Sequence, residues 1–470
     1  MHEETFDLVV IGSGPGGEKG AAQAAYFGKK VAIIERENEL GGAAANTGTL
    51  PSKTLRESAL YLSGFRQRGL YGINFGMKKE VTARDFLYRE RLVVQSERRR
   101  IIDNIKRHEV TLYHGKAEFV DDQTVSVMSH NGTETYIKGD VFLIATGSSP
   151  YHPPVVPFCD TRVYDSDTIL NIHDIPSSML IAGGGVIGCE YACMFAALGI
   201  KVYLVEGRDR LLGFMDAEVT ETLARCMRNM GIDFCMPDEI QSVEAEKQLK
   251  VQLKSGRLIE IEAILAATGR NGNTEALALD KVQIIPEPRG HLKVNNVYQT
   301  SKPHIYAVGD VIGFPALAST SMEQARVAMV HAFELEYKTE LANILPYGIY
   351  TIPECSMAGE TEDSLSKAGI PYIVGRAEYP NNSRGQIIGD DDGFLKLLFR
   401  EKDMKLLGVH MIGEAASELV HIGLTALLVG AGSELFIHTC FNYPTLSEMY
   451  KYATYDALGE RQRRQNTIVR

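Results

Sequence analysis

Apolar residues recur along the chain in short continuous runs, each followed by a glycine-rich turn. The first run, Phe6 to Ile11, has the length and composition of a buried strand and leads into Gly12, Gly14 and Gly17. An alanine-rich stretch typical of a helix follows, and a second apolar run then ends at Glu35. This order predicts a strand–helix–strand unit with the glycine fingerprint of a dinucleotide site in its first turn.

The residue types in this unit suit the chemistry of such a site. A pyrophosphate must approach backbone N–H groups at a helix N-terminus, where a Cβ atom would collide with it. Glu35 follows Gly17 by 18 residues, which is the expected place of a carboxylate that holds a ribose diol.

The same arrangement recurs in the middle of the chain. The apolar run Met179–Ala182 leads into Gly183, Gly185 and Gly188, and the next predicted strand ends at Glu206, again 18 residues after the last glycine. One such fingerprint is weak evidence, but two copies with matching strands, helices and acid spacing indicate two dinucleotide sites. We expect a chain with two such sites to pass electrons between them.

Both units also end alike, with a strand that runs into an Ala-Thr-Gly turn. The first of these turns contains Thr146 and Gly147, and the second contains Gly269. A further apolar run ends in Gly309 and Asp310, where a carboxylate could bind a sugar or ribityl hydroxyl.

The segment after Asp310 predicts a helix whose N-terminus could face a cofactor. Thr320 and Glu323 have the spacing of a capping box, so the helix is expected to open there and to run to about Glu336. The positive end of such a helix could stabilise negative charge on a reduced cofactor ring. Ala318, just before it, is a further candidate for cofactor binding.

Length and composition are those of a globular protein with about three modules. The chain has 470 residues, of which 44% are hydrophobic and 23% charged. Sixty acidic side chains against 49 basic ones give a formal charge of −11, which argues against a broad nucleic-acid-binding face. The seven cysteines lack the spacing of a disulfide framework, which is typical of a reducing compartment.

Neither a secretory signal nor a membrane span is predicted. The N-terminus lacks a basic region and begins a strand at once. The apolar stretch Ile181–Ile200 is long enough for a span, but three glycines near its start and Glu190 in its middle favour a buried strand, turn and helix. We therefore expect a cytoplasmic protein with no nucleic-acid or membrane partner and no metal site.

Taken together, these residues resemble the FAD-dependent pyridine nucleotide–disulfide oxidoreductases over essentially the whole chain. The resemblance also rests on Gly41-Gly42, on Pro51-Ser52-Lys53 and on Pro444-Thr445 with Glu448. It implies an α/β fold with two Rossmann-like dinucleotide-binding domains, one for FAD and one for NAD(P), plus a C-terminal α+β dimerisation domain. The implied regions are an FAD-binding part at 1–150, an NAD(P)-binding domain at 151–275, a second FAD-binding or central part at 276–342, and the dimerisation domain at 343–470.

The last region carries its own pattern. The apolar runs Phe394–Phe399 and Leu406–Ile412 predict a hairpin, and a helix is expected from Ala415 to Val429. The resemblance further implies a homodimer, or a higher homo-oligomer, in which Tyr443 and Glu448 approach the partner's flavin.

The chain departs from the disulfide reductases of this family at two places. Where those enzymes carry a pair of redox cysteines, this chain has Ala44 and Thr49, neither of which can form a thiolate or a disulfide. Where they carry a histidine before Pro-Thr, this chain has Tyr443, whose phenol is a poor proton shuttle at neutral pH. The thiols and their acid–base partner are absent together.

The nicotinamide–flavin half of the site is retained. The resemblance implies an ion pair between Lys53 and Glu190 beside the flavin and the nicotinamide, where a fixed charge would tune hydride transfer. Val186 occupies the place where some relatives carry a tyrosine lid, so a nicotinamide should enter without displacing a bulky ring. The catalytic candidates are thus Lys53, Glu190, Tyr443 and Glu448.

The resemblance and the motifs together define a set of cofactor-binding candidates: Gly12, Gly14, Gly17, Glu35, Gly42, Lys53, Thr146, Gly147, Gly183, Gly185, Val186, Gly188, Glu206, Arg208, Arg210, Gly269, Asp310 and Ala318.

The second unit carries mixed signals for the choice of nucleotide. Glu206 suits the 2′-hydroxyl of NAD and would repel the 2′-phosphate of NADP. Arg208 and Arg210 follow directly, and guanidinium groups match phosphate well. The two arginines favour use of both NAD(H) and NADP(H) as substrates.

The branch of the family that keeps FAD and the Pro-Ser-Lys motif but lacks the cysteine pair catalyses transhydrogenation. The resemblance therefore implies hydride exchange between NADPH and NAD⁺ through FAD, with one pocket serving both nucleotides in ping-pong order. Three alternatives stay open. They are an NAD(P)H:quinone or dye reductase, a non-catalytic flavoprotein, and a disulfide reductase that uses Cys189 and Cys193, which lie four residues apart on a predicted helix.

Overall fold

The structure is a computed structural model that describes residues 3–64, 70 and 81–468. It confirms the expected α/β fold, in which parallel sheets occupy the first two thirds of the chain and an antiparallel sheet the last third.

The strands form three large sheets and two small ones. In chain order they are Glu3–Ile11 (β1), Val31–Glu35 (β2), Thr111–His114 (β3), Lys116–Asp121 (β4), Thr124–Met128 (β5), Glu134–Ile144 (β6), Ser148–Pro150 (β7), Val163–Asp165 (β8), Ser178–Ala182 (β9), Lys201–Val205 (β10), Asp233–Cys235 (β11), Ile240–Ala245 (β12), Leu249–Leu253 (β13), Leu258–Ile261 (β14), Ala263–Ala266 (β15), Arg270–Gly272 (β16), Ile305–Ala307 (β17), Tyr347–Ile349 (β18), Cys355–Gly359 (β19), Tyr372–Glu378 (β20), Phe394–Arg400 (β21) and Leu406–Ile412 (β22).

The helices connect and cover these sheets. They are Pro15–Tyr26 (α1), Gly42–Asn46 (α2), Thr49–Ser63 (α3), Ala83–Arg107 (α4), Val186–Ala197 (α5), Ala217–Asn229 (α6), Ala318–Ala332 (α7), Glu362–Ala368 (α8), Ser383–Ile388 (α9), Ala416–Leu428 (α10), Ser433–His438 (α11) and Met449–Ile468 (α12). None of those in the described part of the chain combines the length and apolarity needed to span a bilayer.

The first sheet has the order β3-β2-β1-β6-β5-β4, and β17 pairs with β6. Strands β2, β1, β6 and β17 are parallel, and β2 is buried along its whole length. Such continuous burial is typical of parallel strands that are covered on both faces. On one face, α1 and α7 pack through Ala21, Ala24, Ala325 and Ala328, whose small side chains allow a close approach of the helices to the sheet.

The second sheet repeats this arrangement with the order β11-β10-β9-β15-β8, all parallel. Helix α5 follows β9 and is buried over most of its surface. The apolar stretch Ile181–Ile200 is therefore a strand, a glycine turn and a core helix, as its glycines predicted.

The C-terminal sheet is antiparallel, in the order β18-β19-β22-β21-β20, and confirms the hairpin of β21 with β22. Helices α10 and α12 contribute to the apolar core of this region through Val420 and Tyr450. Helix α10 occupies Ala416–Leu428, one residue shorter at each end than expected.

The capping box predicted at Thr320 is wrong. Helix α7 begins two residues earlier, at Ala318, ends at Ala332, and has Leu317 as its N-cap with no side-chain cap. The physical reason is that Ser321 N–H already donates to the Leu317 carbonyl at 2.9 Å, so Thr320 lies within the first helical turn, where it is buried and cannot act as the N-cap.

A buried lysine joins the second nucleotide unit to the C-terminal sheet. Lys396 on β21 is 1% exposed, and its Nζ lies 2.9 Å from Asp216, 3.0 Å from Glu218 and in contact with Glu362. Burial acts to lower the pKa of Lys396, but the carboxylates outweigh burial and the pKa is raised. These three carboxylates, the kind of group that could hold a metal ion, thus surround an ammonium group.

Candidate active site

The first glycine turn contains two glycines that the fold itself requires. Gly12 has φ +103°, and a Cβ there would lie 2.4 Å from the carbonyl oxygen of Ala145. A Cβ on Gly17 would lie 1.9 Å from the carbonyl oxygen of Gly12. Gly14 differs, because its φ of −61° suits any residue and the nearest atom to an added Cβ is 4.0 Å away.

The second glycine turn likewise contains two glycines that the fold requires and one that it does not. Gly183 has φ +110°, and a Cβ there would lie 2.4 Å from the oxygen of Ala267. On Gly188 it would lie 1.8 Å from the oxygen of Gly183, whereas on Gly185 it would meet nothing within 4 Å.

The middle glycine of each turn therefore leaves open space in front of a helix N-terminus. No described neighbour requires Gly14 or Gly185 to lack a Cβ, but a pyrophosphate at the N-terminus of α1 or α5 would. Both turns fit the phosphate groups of a dinucleotide.

Glu35 lies at the end of β2, directly beside the first glycine turn. Its Oε2 accepts hydrogen bonds from the backbone N–H and the hydroxyl of Ser13, at 2.9 and 2.6 Å, and its Oε1 accepts one from Glu37 N–H at 2.9 Å. The carboxylate is 6% exposed and held against the turn, as a ribose ligand should be.

Glu206, which directly follows β10 in the second unit, is held by the equivalent backbone contacts. Its Oε2 accepts from Gly184 N–H at 2.6 Å and its Oε1 from Arg208 N–H at 2.9 Å. Burial acts to raise the pKa of Glu206, but the hydrogen bonds from Arg208 and Gly184 outweigh burial and the pKa lies below its usual value. Glu206 is therefore a carboxylate at neutral pH.

The two arginines after Glu206 lie in different places. Arg208 donates to the Glu206 carboxylate through Nε and Nη2, at 2.9 and 3.0 Å. Arg210 donates instead to the Gly213 carbonyl at 2.9 Å and to Asp363 on α8 at 3.1 Å. The structure thus brings one of the two predicted phosphate ligands to Glu206 and directs the other to the C-terminal region.

Each Ala-Thr-Gly turn lies beside the glycine turn of its own unit, since Ala145 and Ala267 supply the oxygens nearest to a Cβ on Gly12 and Gly183. Thr146 Oγ1 is buried, and no described residue forms a hydrogen bond with it. Because buried hydroxyls normally have partners, this orphaned group fits a polar ligand atom. Gly147 and Gly269 both have positive φ, +69° and +125°, which favours glycine at these turns.

Three further candidates surround the first glycine turn. Asp310 lies in a 3₁₀ turn, and its Oδ2 accepts a hydrogen bond from Ser148 Oγ at 2.8 Å. Ala318 is the first residue of α7, at the uncapped N-terminus. Gly42 has φ +55°, and a Cβ there would lie 2.9 Å from Gly14 Cα. The side chain of Ser321 links these elements, because a Cβ on either Gly16 or Gly309 would clash with its Oγ.

The predicted ion pair of Lys53 with Glu190 is present. Lys53 Nζ, on α3, lies 2.7 Å from both carboxylate oxygens of Glu190, on α5. The Glu190 side chain is 3% exposed and that of Lys53 27%, so the pair is buried on the glutamate side and open on the lysine side.

Sequence patterns missed Tyr350, which completes this pair. Its backbone N–H donates to Glu190 Oε1 at 2.9 Å, and Lys53 Nζ lies 4.9 Å from the centre of its ring. The residue follows β18, 160 positions after Glu190, and no motif or spacing marks it.

The segment that carries redox cysteines in disulfide reductases forms α2 and the start of α3. Ala44 is half-buried in α2, and Thr49 is exposed at the first position of α3. Cys189 and Cys193 lie on α5 and are fully buried. Burial raises the pKa of Cys193 to about 12 and raises that of Cys189 well above its usual value.

Tyr443 and Glu448 lie in the C-terminal region. Tyr443 is 69% exposed, and its hydroxyl is 2.9 Å from Ser383 Oγ. Glu448 ends the 3₁₀ turn Leu446–Glu448 before α12. Among the described residues of the single chain, neither forms a hydrogen bond or ion pair with Lys53 or Glu190.

Comparison with known proteins identifies the family to which the chain belongs. The profile of the pyridine nucleotide-disulphide oxidoreductases matches residues 6–332, and that of their dimerisation domain matches residues 345–454. A soluble pyridine nucleotide transhydrogenase of Mycobacterium bovis is 47% identical over 97% of both chains. One of Enterobacter sp. is 41% identical over 97% of this chain and 99% of that relative.

Solved structures agree on the fold. The HOCl-induced flavoprotein disulfide reductase RclA of Escherichia coli superposes with a TM-score of 0.85 at 26% identity, over 95% of this chain and 98% of that one. LpdA of Mycobacterium tuberculosis gives a TM-score of 0.88 at 24% identity, over 96% and 99%. The chain belongs to the pyridine nucleotide-disulphide oxidoreductases, a family of FAD-dependent oxidoreductases with a C-terminal dimerisation domain.

Proposed function

We propose that this protein is an FAD-dependent pyridine nucleotide transhydrogenase, which catalyses NADPH + NAD⁺ ⇌ NADP⁺ + NADH. The observation that carries the proposal is the combination of two intact dinucleotide turns and a buried Lys53–Glu190 pair with Ala44 and Thr49 in place of the thiols. The names of the relatives that are 41–47% identical support it.

FAD, when bound, supplies a carrier that can accept a hydride from one nicotinamide and give it to another. In the first unit, the Gly14 turn offers backbone N–H groups to the pyrophosphate and Glu35 offers a carboxylate to the ribose. Asp310, the orphaned Thr146 hydroxyl and the uncapped N-terminus at Ala318 are polar groups for the remaining hydroxyls and the ring.

The second unit would bind each nicotinamide nucleotide in turn. Gly185 leaves space for the pyrophosphate of the nucleotide, and Glu206 holds its adenosine ribose. Val186 directly follows Gly185 and is the first residue of α5, whose N-terminus faces that space. Because one such unit serves both NADP(H) and NAD(H), the first product must leave before the second substrate enters. We therefore propose ping-pong order.

The Lys53–Glu190 pair would orient charge where hydride passes. Glu190 is buried and accepts from both Lys53 Nζ and Tyr350 N–H, so the ammonium group has one fixed position. A preorganised charge of this kind needs no rearrangement during the reaction, which is the main source of electrostatic catalysis.

We further propose a homodimer in which Tyr443 and Glu448 lie at the partner's flavin, in keeping with the dimerisation domain.

The cysteines that the structure describes are free, which suits a reducing compartment such as the cytoplasm.

No thiol relay takes part in this reaction. Burial raises the pKa of Cys193 to about 12, so its thiol is protonated at neutral pH and is a poor nucleophile. We expect Cys193→Ala to keep the wild-type transhydrogenation rate, and a reductive titration to consume two electrons per FAD in both proteins. Four electrons in the wild type and two in the variant would instead identify Cys193 as part of a redox disulfide.

The function itself is tested with the purified FAD-loaded protein. We expect NADPH to reduce an NAD⁺ analogue whose reduced form absorbs at a separate wavelength, and lipoamide and glutathione disulfide to give no turnover. Turnover with a quinone but not with the NAD⁺ analogue would identify a quinone reductase instead. Absence of turnover with every acceptor would favour a non-catalytic flavoprotein.

A further inference from the structure

The carboxylate of Glu206 has no acceptor site left for a ribose. A carboxylate offers about four lone-pair sites, two on each oxygen. Gly184 N–H and Arg208 Nη2 donate to Oε2, while Arg208 N–H and Arg208 Nε donate to Oε1. Four donors from described residues thus fill all four sites.

Glu35, the matching acid of the first unit, is not saturated in this way. Its donors among the described residues are the N–H and hydroxyl of Ser13 and the N–H of Glu37. One lone-pair site therefore stays open, and none of the three donors is a cation. Glu35 can accept a ribose hydroxyl as it stands, whereas Glu206 cannot.

The difference between the two acids comes from the guanidinium of Arg208. The backbone donors to Glu206 have exact counterparts at Glu35, so they belong to the Rossmann framework itself. Only the guanidinium is extra, and it can move, because the Arg208 side chain is 59% exposed. Arg210, by contrast, is 30% exposed and bonded to Gly213 and to Asp363 of α8.

We propose that the Arg208 guanidinium exchanges its partner Glu206 for the ligand, and that this exchange lets one pocket bind both nucleotides. When NAD(H) binds, the 2′- and 3′-hydroxyls of the adenosine ribose replace Nε and Nη2 on the carboxylate, two hydrogen bonds for two. When NADP(H) binds, the guanidinium turns to the 2′-phosphate and lies between that dianion and Glu206. This inference rests on the proposed function, in which the second unit takes both nucleotides.

The charges explain why both groups are needed. Without Arg208, Glu206 would face a 2′-phosphate of the same sign at close range, which disfavours NADP(H). Without Glu206, the ribose of NAD(H) would lose its acceptor. With both, the guanidinium is paired with Glu206 in the free protein and with the phosphate when NADP(H) is bound, and it turns into solvent when NAD(H) is bound, which its 59% exposed side chain allows.

The test compares two ligands that differ only in the 2′-phosphate. Binding of 5′-AMP and of 2′,5′-ADP to the FAD-loaded protein is measured by calorimetry, without any turnover. We expect Arg208→Gln to weaken 2′,5′-ADP about 10- to 100-fold, because a charge-assisted bond is lost. The same change should leave 5′-AMP binding equal to or tighter than wild type, because the competing donor is gone.

Two further variants complete the design. Arg210→Gln should leave the ratio of the two affinities unchanged, because that side chain is bonded elsewhere. Glu206→Gln should tighten 2′,5′-ADP relative to 5′-AMP. Melting temperature and bound FAD, compared with wild type, report whether each variant is folded.

Some results would overturn the proposed exchange of partners by Arg208. They are an equal loss of both ligands in Arg208→Gln, a selective loss of 5′-AMP in that variant, or a selective loss of 2′,5′-ADP in Arg210→Gln. The assay measures binding alone. A protein that discriminates the ligands as described but fails to transfer hydride would therefore contradict the proposed function and not the exchange by Arg208.

Discussion

Gly185→Val is expected to weaken binding of both nicotinamide nucleotides severely while the protein stays folded and keeps its FAD. Gly185 has φ −82° and ψ −170°, a conformation open to any residue, and an added Cβ meets nothing within 4 Å. The valine side chain would instead fill the space for the pyrophosphate. Loss of two hydrogen bonds to a charged group, about 1.5–3 kcal/mol each, predicts a rise in Kd of about 100-fold or more.

Two other glycines serve as matched controls for this result. Gly14→Val should give the corresponding result in the first unit, a folded chain that does not retain FAD, because the nearest atom to its Cβ, Gly42 Cα, is 4.0 Å away, an ordinary van der Waals distance. Gly188→Ala should destabilise the fold itself, because its Cβ would lie 1.8 Å from a backbone oxygen. Normal NADH and NADPH binding by Gly185→Val would show that the second turn is not the nucleotide site.

Breaking the Lys53–Glu190 pair is expected to have the second large effect. Lys53→Met should slow reduction of the flavin by NADPH about 10²- to 10³-fold in stopped-flow measurements, because a preorganised charge is removed. It should also lower the free energy of unfolding by about 3–5 kcal/mol, because Glu190, which is 2% exposed, is left as a buried unpaired charge. Lys53→Arg, which keeps the charge, should lose less of both.

The double variant Lys53→Met with Glu190→Gln separates the two roles of the pair. It leaves no buried charge, so stability should recover substantially, while Tyr350 N–H can still donate to the amide oxygen of the glutamine. The rate of flavin reduction should stay low, since no charge is restored. Recovery of the rate together with stability would mean that the pair is structural only.

Local sequence signals predicted the two nucleotide units well because each unit is built from nearby residues. A Rossmann turn needs a buried strand, glycines at fixed offsets and an acid at the end of the next strand, all within about 30 residues. Gly12, Gly17, Gly183 and Gly188 are dictated by backbone clashes inside the turn, which the spacing alone reveals. The capping box at Thr320 failed because the helix begins earlier, at Ala318, with a backbone hydrogen bond from Ser321 to Leu317, so Thr320 is a buried residue of the first turn.

The sequence by itself determined the α/β class, both glycine turns, the acid that follows each unit's second strand and the absence of thiols at Ala44 and Thr49, since these follow from residue type and short spacing. Only the tertiary structure decided that Tyr350 supports Glu190, and that Arg208 saturates Glu206 while Arg210 turns to Asp363. Such contacts join residues up to 160 positions apart, or depend on which way a long side chain turns. Chain spacing constrains neither, because packing between separate elements sets both.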